Sequence, residues 1–370
     1  MLGLALAACA LWLFIALLPW RPWATSESLD APVFDEPGTF SDTTILIPAR
    51  NEADVIAPTL TAAAEQGTGV RIILVDDRSM DDTVSNARRL ALRDLRIIAS
   101  ERLPSGWTGK LWALEQGRKH IDTDYLLLLD ADIVLAPGTL AALRAKMDLE
   151  DRQFMSLLAE PSMDGFWGKL LLPAFVYFFK LLYPFRLSNS DTRLVAAAAG
   201  GCILTRTQVL ESIGGFDSIK NALIDDCALA RRVKSHGART WIGLTRSAKS
   251  VRPYLTLATI WNMVARTAFA QLLYSNTLLL LCTTVLVLAF LVPLIGVALF
   301  PGVASAISVA TLVMMLSTYS PVLRYYRVPC YWALGLPFAG ALFTAMTWTS
   351  ALRYWLGRGA MWKGRSYTKR

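Results

Sequence analysis

The sequence predicts an α/β domain, a mostly parallel sheet with helices on both faces, held between transmembrane helices at both ends of the chain. Three observations point there. Through the middle of the 370 residues, short apolar runs alternate with helix-length segments. Most of those runs end in polar, largely acidic residues. Uncharged apolar stretches, near the ~20 residues that cross a bilayer, crowd the two ends.

Leu2 to Trp20 carries no charge and is followed by Arg21. No basic residue follows Met1 and no small-x-small cleavage site precedes Arg21, so residues 1–21 read as an uncleaved anchor rather than a signal peptide. Pro22, Pro32 and Pro37 mark residues 22–42 as an extended linker. Thr43 to Pro48, Arg71 to Asp76, Leu95 to Ala99 and Tyr125 to Asp130 read as buried strands, separated by helices such as Ala53 to Gln66 and Thr83 to Leu92. Strands at Phe154 to Ala159, Ala198 to Leu204 and Arg239 to Gly243, with helices at Thr207 to Ile213 and Asp226 to His236, complete a globular domain over residues 43–250. Sheets of this kind bind ligands beyond the carboxyl ends of their strands, which is where the acidic clusters fall.

Phe166 to Phe185 is rich in Phe, Leu and Tyr and interrupted by Lys169, Pro173, Lys180 and Pro184. A single membrane crossing there would place the carboxylate clusters before and after it on opposite sides of the bilayer. A helix lying in the interface over residues 166–185 avoids that. Residues 251–274 read as a second interfacial segment. Candidate spans at Thr277 to Phe300, Val303 to Val322 and Tyr331 to Leu352 fill residues 275–355, and 356–370 form a basic tail. With the globular domain inside, four spans would leave Arg353, Arg358, Lys363, Arg365, Lys369 and Arg370 outside, against the positive-inside tendency. Gly335, Pro337 and Gly340 also allow a re-entrant hairpin in the last of these.

The formal net charge is +8, but the Lys and Arg residues gather beside apolar segments instead of forming one basic tract. That pattern suits anionic lipid headgroups and argues against nucleic acid as a partner. Cys9, Cys202, Cys227, Cys282 and Cys330 include no C-x-x-C pair, so neither a disulfide framework nor a zinc site is indicated. With His120 and His236 the only histidines, a histidine base is disfavoured.

The first strand ends in Pro48-Ala49-Arg50-Asn51-Glu52 and the second in Val75-Asp76-Asp77-Arg78-Ser79-Met80-Asp81-Asp82-Thr83. Acidic residues there suit the donor groups of a base or ribose, which makes Glu52 and Asp77 candidate nucleotide contacts, with Pro48 a further candidate in the first cluster. Asp81 and Asp82 are better read as helix N-caps. Neither G-x-G-x-x-G nor G-x-x-x-x-G-K-[ST] is present, which weighs against a dinucleotide enzyme or a P-loop ATPase. The fourth strand runs into Asp130-Ala131-Asp132, whose carboxylates can share a hard divalent ion, Mg²⁺ or Mn²⁺, and leave positions open for diphosphate oxygens. Neither aspartate has a basic residue beside it in sequence. Farther on come Gly200-Gly201, Gly214-Gly215-Phe216 and Ile224-Asp225-Asp226, where small residues admit a sugar and one carboxylate is a candidate base.

Taken in order, P-A-R-N-E, V-D-D-R-S-x-D-D-T, D-A-D, the paired glycines and D-D-x-x-L-A-x-x-V resemble the family 2 inverting glycosyltransferases, with a GT-A-type, Rossmann-like fold. The resemblance implies that Asp77 contacts a uracil base and that Asp130 and Asp132 hold the ion against the donor diphosphate. It also implies that Asp226 is the base, with Asp225 standing where Glu is usual. Gly106-Trp107-Thr108-Gly109-Lys110-Leu111-Trp112-Ala113 is similar to an element of the hopene-associated glycosyltransferases and the related carotenoid-acid enzymes, which implies Lys110 near the donor phosphates. Processive synthases carry Q-x-x-R-W where this chain has Met263-Val264-Ala265-Arg266-Thr267, so only Arg266 is carried over, as a diphosphate contact. The expected partners are a nucleotide-sugar donor, a lipid acceptor and the membrane. The expected location is the bacterial inner (cytoplasmic) membrane, multi-pass, with the catalytic domain in the cytoplasm. A polyprenyl-phosphate sugar transferase, a carotenoid-acid glycosyltransferase and a tethered, inactive nucleotide-binding protein are the rival readings.

Overall fold

The computed structural model describes residues 1–32, 38–358, 360–362 and 365–367. Pro37 of the expected linker and Lys363, Lys369 and Arg370 of the expected tail lie outside the described residues. The chain divides into two compact units, one of Glu27–Ser162 with Phe185–Arg252, the other of Met1–Ser26, Met163–Pro184 and Pro253–Arg370.

The first unit is built on eight strands: β1 Thr43–Ala49, β2 Arg71–Asp76, β3 Leu95–Ala99, β4 Tyr125–Leu129, β5 Ile133–Leu135, β6 Phe154–Glu160, β7 Cys202–Arg206 and β8 Thr240–Ser250. They form one mixed sheet in the order β3-β2-β1-β4-β7-β6-β8-β5. From β3 to β4 all neighbours run parallel, which gathers the ends of β1, β2 and β4 at one edge. β7 runs antiparallel to both β4 and β6, while β8 is parallel to β6 and antiparallel to β5.

Every residue of β1 and β4 is buried, because each face of the sheet is covered. Alternation along the strands feeds two cores. Ile45, Ile47, Leu127 and Leu129 pack with Ile56 and Leu60 of helix Ile56–Ala64 and with Leu140, Leu143 and Met147 of helix Thr139–Leu149. Leu46, Leu126 and Leu128 pack on the other face with Leu111 and Leu114 of helix Gly109–Arg118 and with Leu229 and Val233 of helix Asp225–Ser235. Full burial of each such side chain contributes about 1.5–3 kcal/mol, so the helices that carry Lys110 and Asp226 are fixed by the same apolar face that holds the sheet.

In the second unit, Gly165–Leu182, Asn276–Leu299, Val303–Tyr325 and Cys330–Trp355 are long and apolar enough to cross a membrane. Leu2–Leu17, with 16 residues, is shorter. At 1.5 Å per residue it spans ~24 Å, less than the ~30 Å hydrocarbon layer. The expected interfacial segment forms helices Leu257–Ala265 and Ala268–Gln271, the first capped by the Thr256 hydroxyl, which accepts the Thr259 N–H. The hairpin considered for residues 331–352 is not formed, since Leu336–Trp355 is one continuous helix. Pro337 falls in its first turn, where its missing N–H costs nothing. Gly340 packs against the Phe290 ring, which a Cβ would approach to 2.6 Å, so its role is close helix packing. Phe290 itself lies in a π-helical stretch, Val287–Leu291, where the Ala289 carbonyl accepts the Trp12 indole N–H at 2.8 Å.

Candidate active site

The loops after β1 and β2 hold each other. Asn51 N–H donates to Ser79 Oγ at 2.9 Å, Met80 N–H to Asn51 Oδ1 at 2.9 Å, and Glu52 N–H to Thr83 Oγ1 at 2.8 Å. Asn51 and Arg78 both take left-handed backbone angles, at φ 50° and 58°, to make these turns. Asp82 sits at the N-cap of helix Thr83–Arg89, but its side chain caps nothing. The capping expected of the pair falls to Asp81 alone, whose carboxylate accepts Thr83 N–H and Ala53 N–H, each at 3.1 Å. Both carboxylates of the V-D-D cluster are buried, Asp76 accepting Ser79 N–H and Asp77 lying 1% exposed.

Beyond the end of β4, one cation pairs with two carboxylates, and a third lies close by. Lys110 Nζ lies 2.7 Å from Asp130 Oδ1 and 3.5 Å from Asp225 Oδ2. Although burial alone would pull its pKa down, Asp130 and Asp225 push it up, so Lys110 stays charged throughout the physiological range. Asp226 Oδ2 accepts the Gly200 N–H at 2.9 Å and Oδ1 the Cys227 N–H at 2.7 Å. Burial, with Asp225 beside it, raises the Asp226 carboxyl to about 6. Burial likewise raises Asp130 above the usual carboxylate range, against the pull of Lys110. A pocket opens onto this cluster, lined by Pro48, Lys110, Asp130, Gly200, Phe216, Asp225 and Asp226 among others.

The paired glycines have definite tasks. A Cβ on Gly200 would sit 3.1 Å from Lys110 Nζ and 3.5 Å from Asp226 Oδ2, so a side chain there would crowd the cluster. Gly215, at φ +63°, turns the chain so that Phe216 N–H reaches Glu115 Oε2 at 3.0 Å and the Phe216 ring reaches the pocket wall.

Asp132 faces another cation. Arg252 Nε donates to Asp132 Oδ2 at 2.9 Å, and Arg252 Nη2 donates to both oxygens of Glu52, each at 2.9 Å. The two aspartates that lacked a basic neighbour in sequence therefore each have one in space. Arg252 and Glu115 belong to no motif and were not singled out from sequence. Glu52 was, and it faces Arg252. Arg266 ends the helix Leu257–Ala265 in the second unit.

No three His, Cys, Asp or Glu side chains converge on a metal position among the described residues. The donor set fits an ion all the same: Asp130 and Asp132 are hard oxygen donors, and Mg²⁺ is commonly bound by one or two carboxylates with substrate phosphates completing its shell.

Residues 44–214 match the family described as Glycosyl transferase family 2. A solved mannosyltransferase from Pyrobaculum calidifontis, PcManGT, in complex with GDP-Man and Mn²⁺, has the same fold at a TM-score of 0.58 and 19% identity, covering 95% of this chain and 98% of its own. Among curated proteins, the chain is 30% identical over 97 residues to a 4,4'-diaponeurosporenoate glycosyltransferase of Staphylococcus haemolyticus (strain JCSC1435). It is 33% identical over 90 residues to the protein of that name from Staphylococcus aureus (strain USA300). These alignments span 26% and 24% of the relatives' lengths, as of this chain's.

Proposed function

We propose that this chain is a membrane-bound inverting glycosyltransferase that moves a sugar from a nucleotide-sugar, UDP-linked in this reading, to the hydroxyl of a hopanoid or related isoprenoid lipid. The observation that carries it is the pocket beyond the end of β4 in which Lys110, Asp130, Asp225 and Asp226 converge, in a chain whose residues 44–214 match the family 2 glycosyltransferases. The base and ribose are proposed to lie against the clamped β1 and β2 loops, with Pro48, Glu52 and Asp77 as contacts, and the diphosphate beside Lys110. The domain faces the cytoplasm from the inner membrane in this reading.

The chemistry is one in-line displacement at the anomeric carbon. Asp226 takes the acceptor's hydroxyl proton as its oxygen attacks, and its raised pKa makes it a competent proton acceptor near neutral pH. Lys110 offsets the charge that grows on the departing nucleoside diphosphate. A Mg²⁺ or Mn²⁺ ion held by Asp130 and Asp132 would supply further charge neutralisation at the same diphosphate.

Radiolabelled UDP-sugar and GDP-mannose, offered to the purified chain with membrane lipids, test the proposal. Label should enter the lipid fraction, EDTA should abolish transfer, and Mn²⁺ or Mg²⁺ should restore it. No lipid product from either donor would defeat the assignment, and full transfer in excess EDTA would remove the ion. A carotenoid acid is the second acceptor reading, favoured by the names of the two Staphylococcus relatives. Product chemistry separates the acceptors: a glycosyl ester is lost in mild alkali, a phosphate-linked sugar in mild acid, and a hydroxyl-linked glycoside survives mild alkali.

Helix Gly165–Leu182 is proposed to lie along the inner membrane surface, against the apolar body of the acceptor. Single cysteines placed at Phe166, Lys169 and Leu182 should resist a membrane-impermeant thiol reagent added outside intact cells. Labelling from outside would show that the segment crosses.

A further inference from the structure

Arg252 stands two residues beyond β8, where Val251 N–H donates to the Asp132 carbonyl at 2.9 Å. Its guanidinium spans two largely buried carboxylates, with the Glu52 side chain 9% and the Asp132 side chain 15% exposed. Ser250 Oγ donates to the same Asp132 Oδ2 at 3.2 Å. Nε and Nη2 are thus engaged, while Nη1 has no hydrogen-bond partner among the described residues and the Arg252 side chain is 31% exposed.

Building on the transferase reading above, we infer that Arg252 couples the entry of the divalent ion to the entry of the donor. A carboxylate already neutralised by a guanidinium offers little to a second cation, because both charges would compete for the same oxygens. An ion arriving alone must take Asp132 from Arg252, leaving Nε of a partly buried guanidinium without an acceptor and Glu52 as its one remaining anion, which is costly. An ion arriving with a nucleoside diphosphate brings that anion with it. Guanidinium forks bind phosphate oxygens as well as they bind carboxylates. Arg252 can therefore exchange Asp132 for the diphosphate when both ligands are present. Donor and ion then strengthen each other's binding by the same factor.

The test reads Mn²⁺ binding rather than turnover. Free Mn²⁺ is followed by electron paramagnetic resonance during titration of the full-length protein, alone and with UDP or GDP. In the unaltered chain, nucleotide should tighten Mn²⁺ binding about tenfold or more. Arg252→Gln should tighten Mn²⁺ binding to the nucleotide-free protein by about tenfold or more, since it removes a full charge at contact distance. It should also shrink the gain produced by nucleotide. A variant that merely damaged the fold would lose affinity, so the gain is specific. Arg252→Lys keeps the charge but cannot span both carboxylates, and it should tighten nucleotide-free binding by a smaller factor. Mn²⁺ affinity equal to or weaker than that of the unaltered chain in Arg252→Gln would overturn the inference, as would an unchanged Arg252→Lys if the glutamine variant failed to fold. Those results would leave the transferase reading standing. A parent protein that bound neither Mn²⁺ nor either nucleotide would bring down both.

Discussion

Asp226→Asn should lower turnover about 10²- to 10⁴-fold while the protein still binds nucleotide-sugar. The amide keeps the shape of the carboxylate and can retain the hydrogen bond from Gly200 N–H, which arrives at 2.9 Å, but it cannot accept the acceptor's proton. Asp132→Asn should fail differently, weakening nucleotide and ion binding together, because it removes a ligand rather than a base. Calorimetry of donor binding alongside turnover of both variants makes the comparison. Near-normal turnover in Asp226→Asn would transfer the base role to Asp225 or end it.

The same residue sets the expected pH profile. Only ionised Asp226 can act as base, and burial with Asp225 beside it raises its carboxyl to about 6. Transfer should therefore rise with pH through about 6 and level off above it. The acceptor's chemistry bears on the size of the effect. A carboxylic acid acceptor is already ionised near neutral pH and needs no base, so a small loss in Asp226→Asn together with an alkali-labile product would favour the carotenoid-acid reading.

Lys110→Met should cost about 10²-fold or more in kcat/KM, comparable to the loss of an oxyanion-stabilising group. Methionine preserves the apolar stem and removes the charge that lies 2.7 Å from Asp130. Donor affinity should fall with turnover, because the charge acts on the bound diphosphate as well as on the leaving group. The pH profile should also move. Lys110 pulls the Asp226 pKa down, so its removal should shift the acid limb to higher pH. Lys110→Arg, which keeps the charge, should shift the limb less. A methionine variant with normal donor affinity and an unmoved acid limb would place Lys110 in a structural role alone.

Much of the chain was legible from local pattern. β2 and β3 have the bounds expected of them; of the three expected C-terminal spans, two lie within helices Val303–Tyr325 and Cys330–Trp355 and the first overruns helix Asn276–Leu299 by Phe300 alone. Apolar periodicity and length are local properties, and burial demands them wherever an element lies in the fold. The acidic strand-end clusters were readable for the same reason, since a run such as Leu126 to Leu129 that ends abruptly in Asp130 declares both a strand and its exit. β5, with three residues, and helix Thr139–Leu149 were not anticipated. So short a strand carries too little alternation to stand out. β8 continues to Ser250, seven residues past its expected end at Gly243, through residues that are polar in sequence but paired with β5 and β6 in space.

Tertiary structure alone decided which charges meet. Asp130 and Asp132 looked unaccompanied in sequence, yet Lys110 arrives from the helix after β3 and Arg252 from the extension of β8. Nothing near Arg252 in sequence signals Glu52, which is 200 residues away. Their meeting follows from the position of β8 between β6 and β5 and from the hydrogen bond between Val251 and Asp132. Local sequence therefore determined which residues could ionise at a strand end. Strand order and direction, set by how the two faces of the sheet are buried, determined which of those charges neutralise one another.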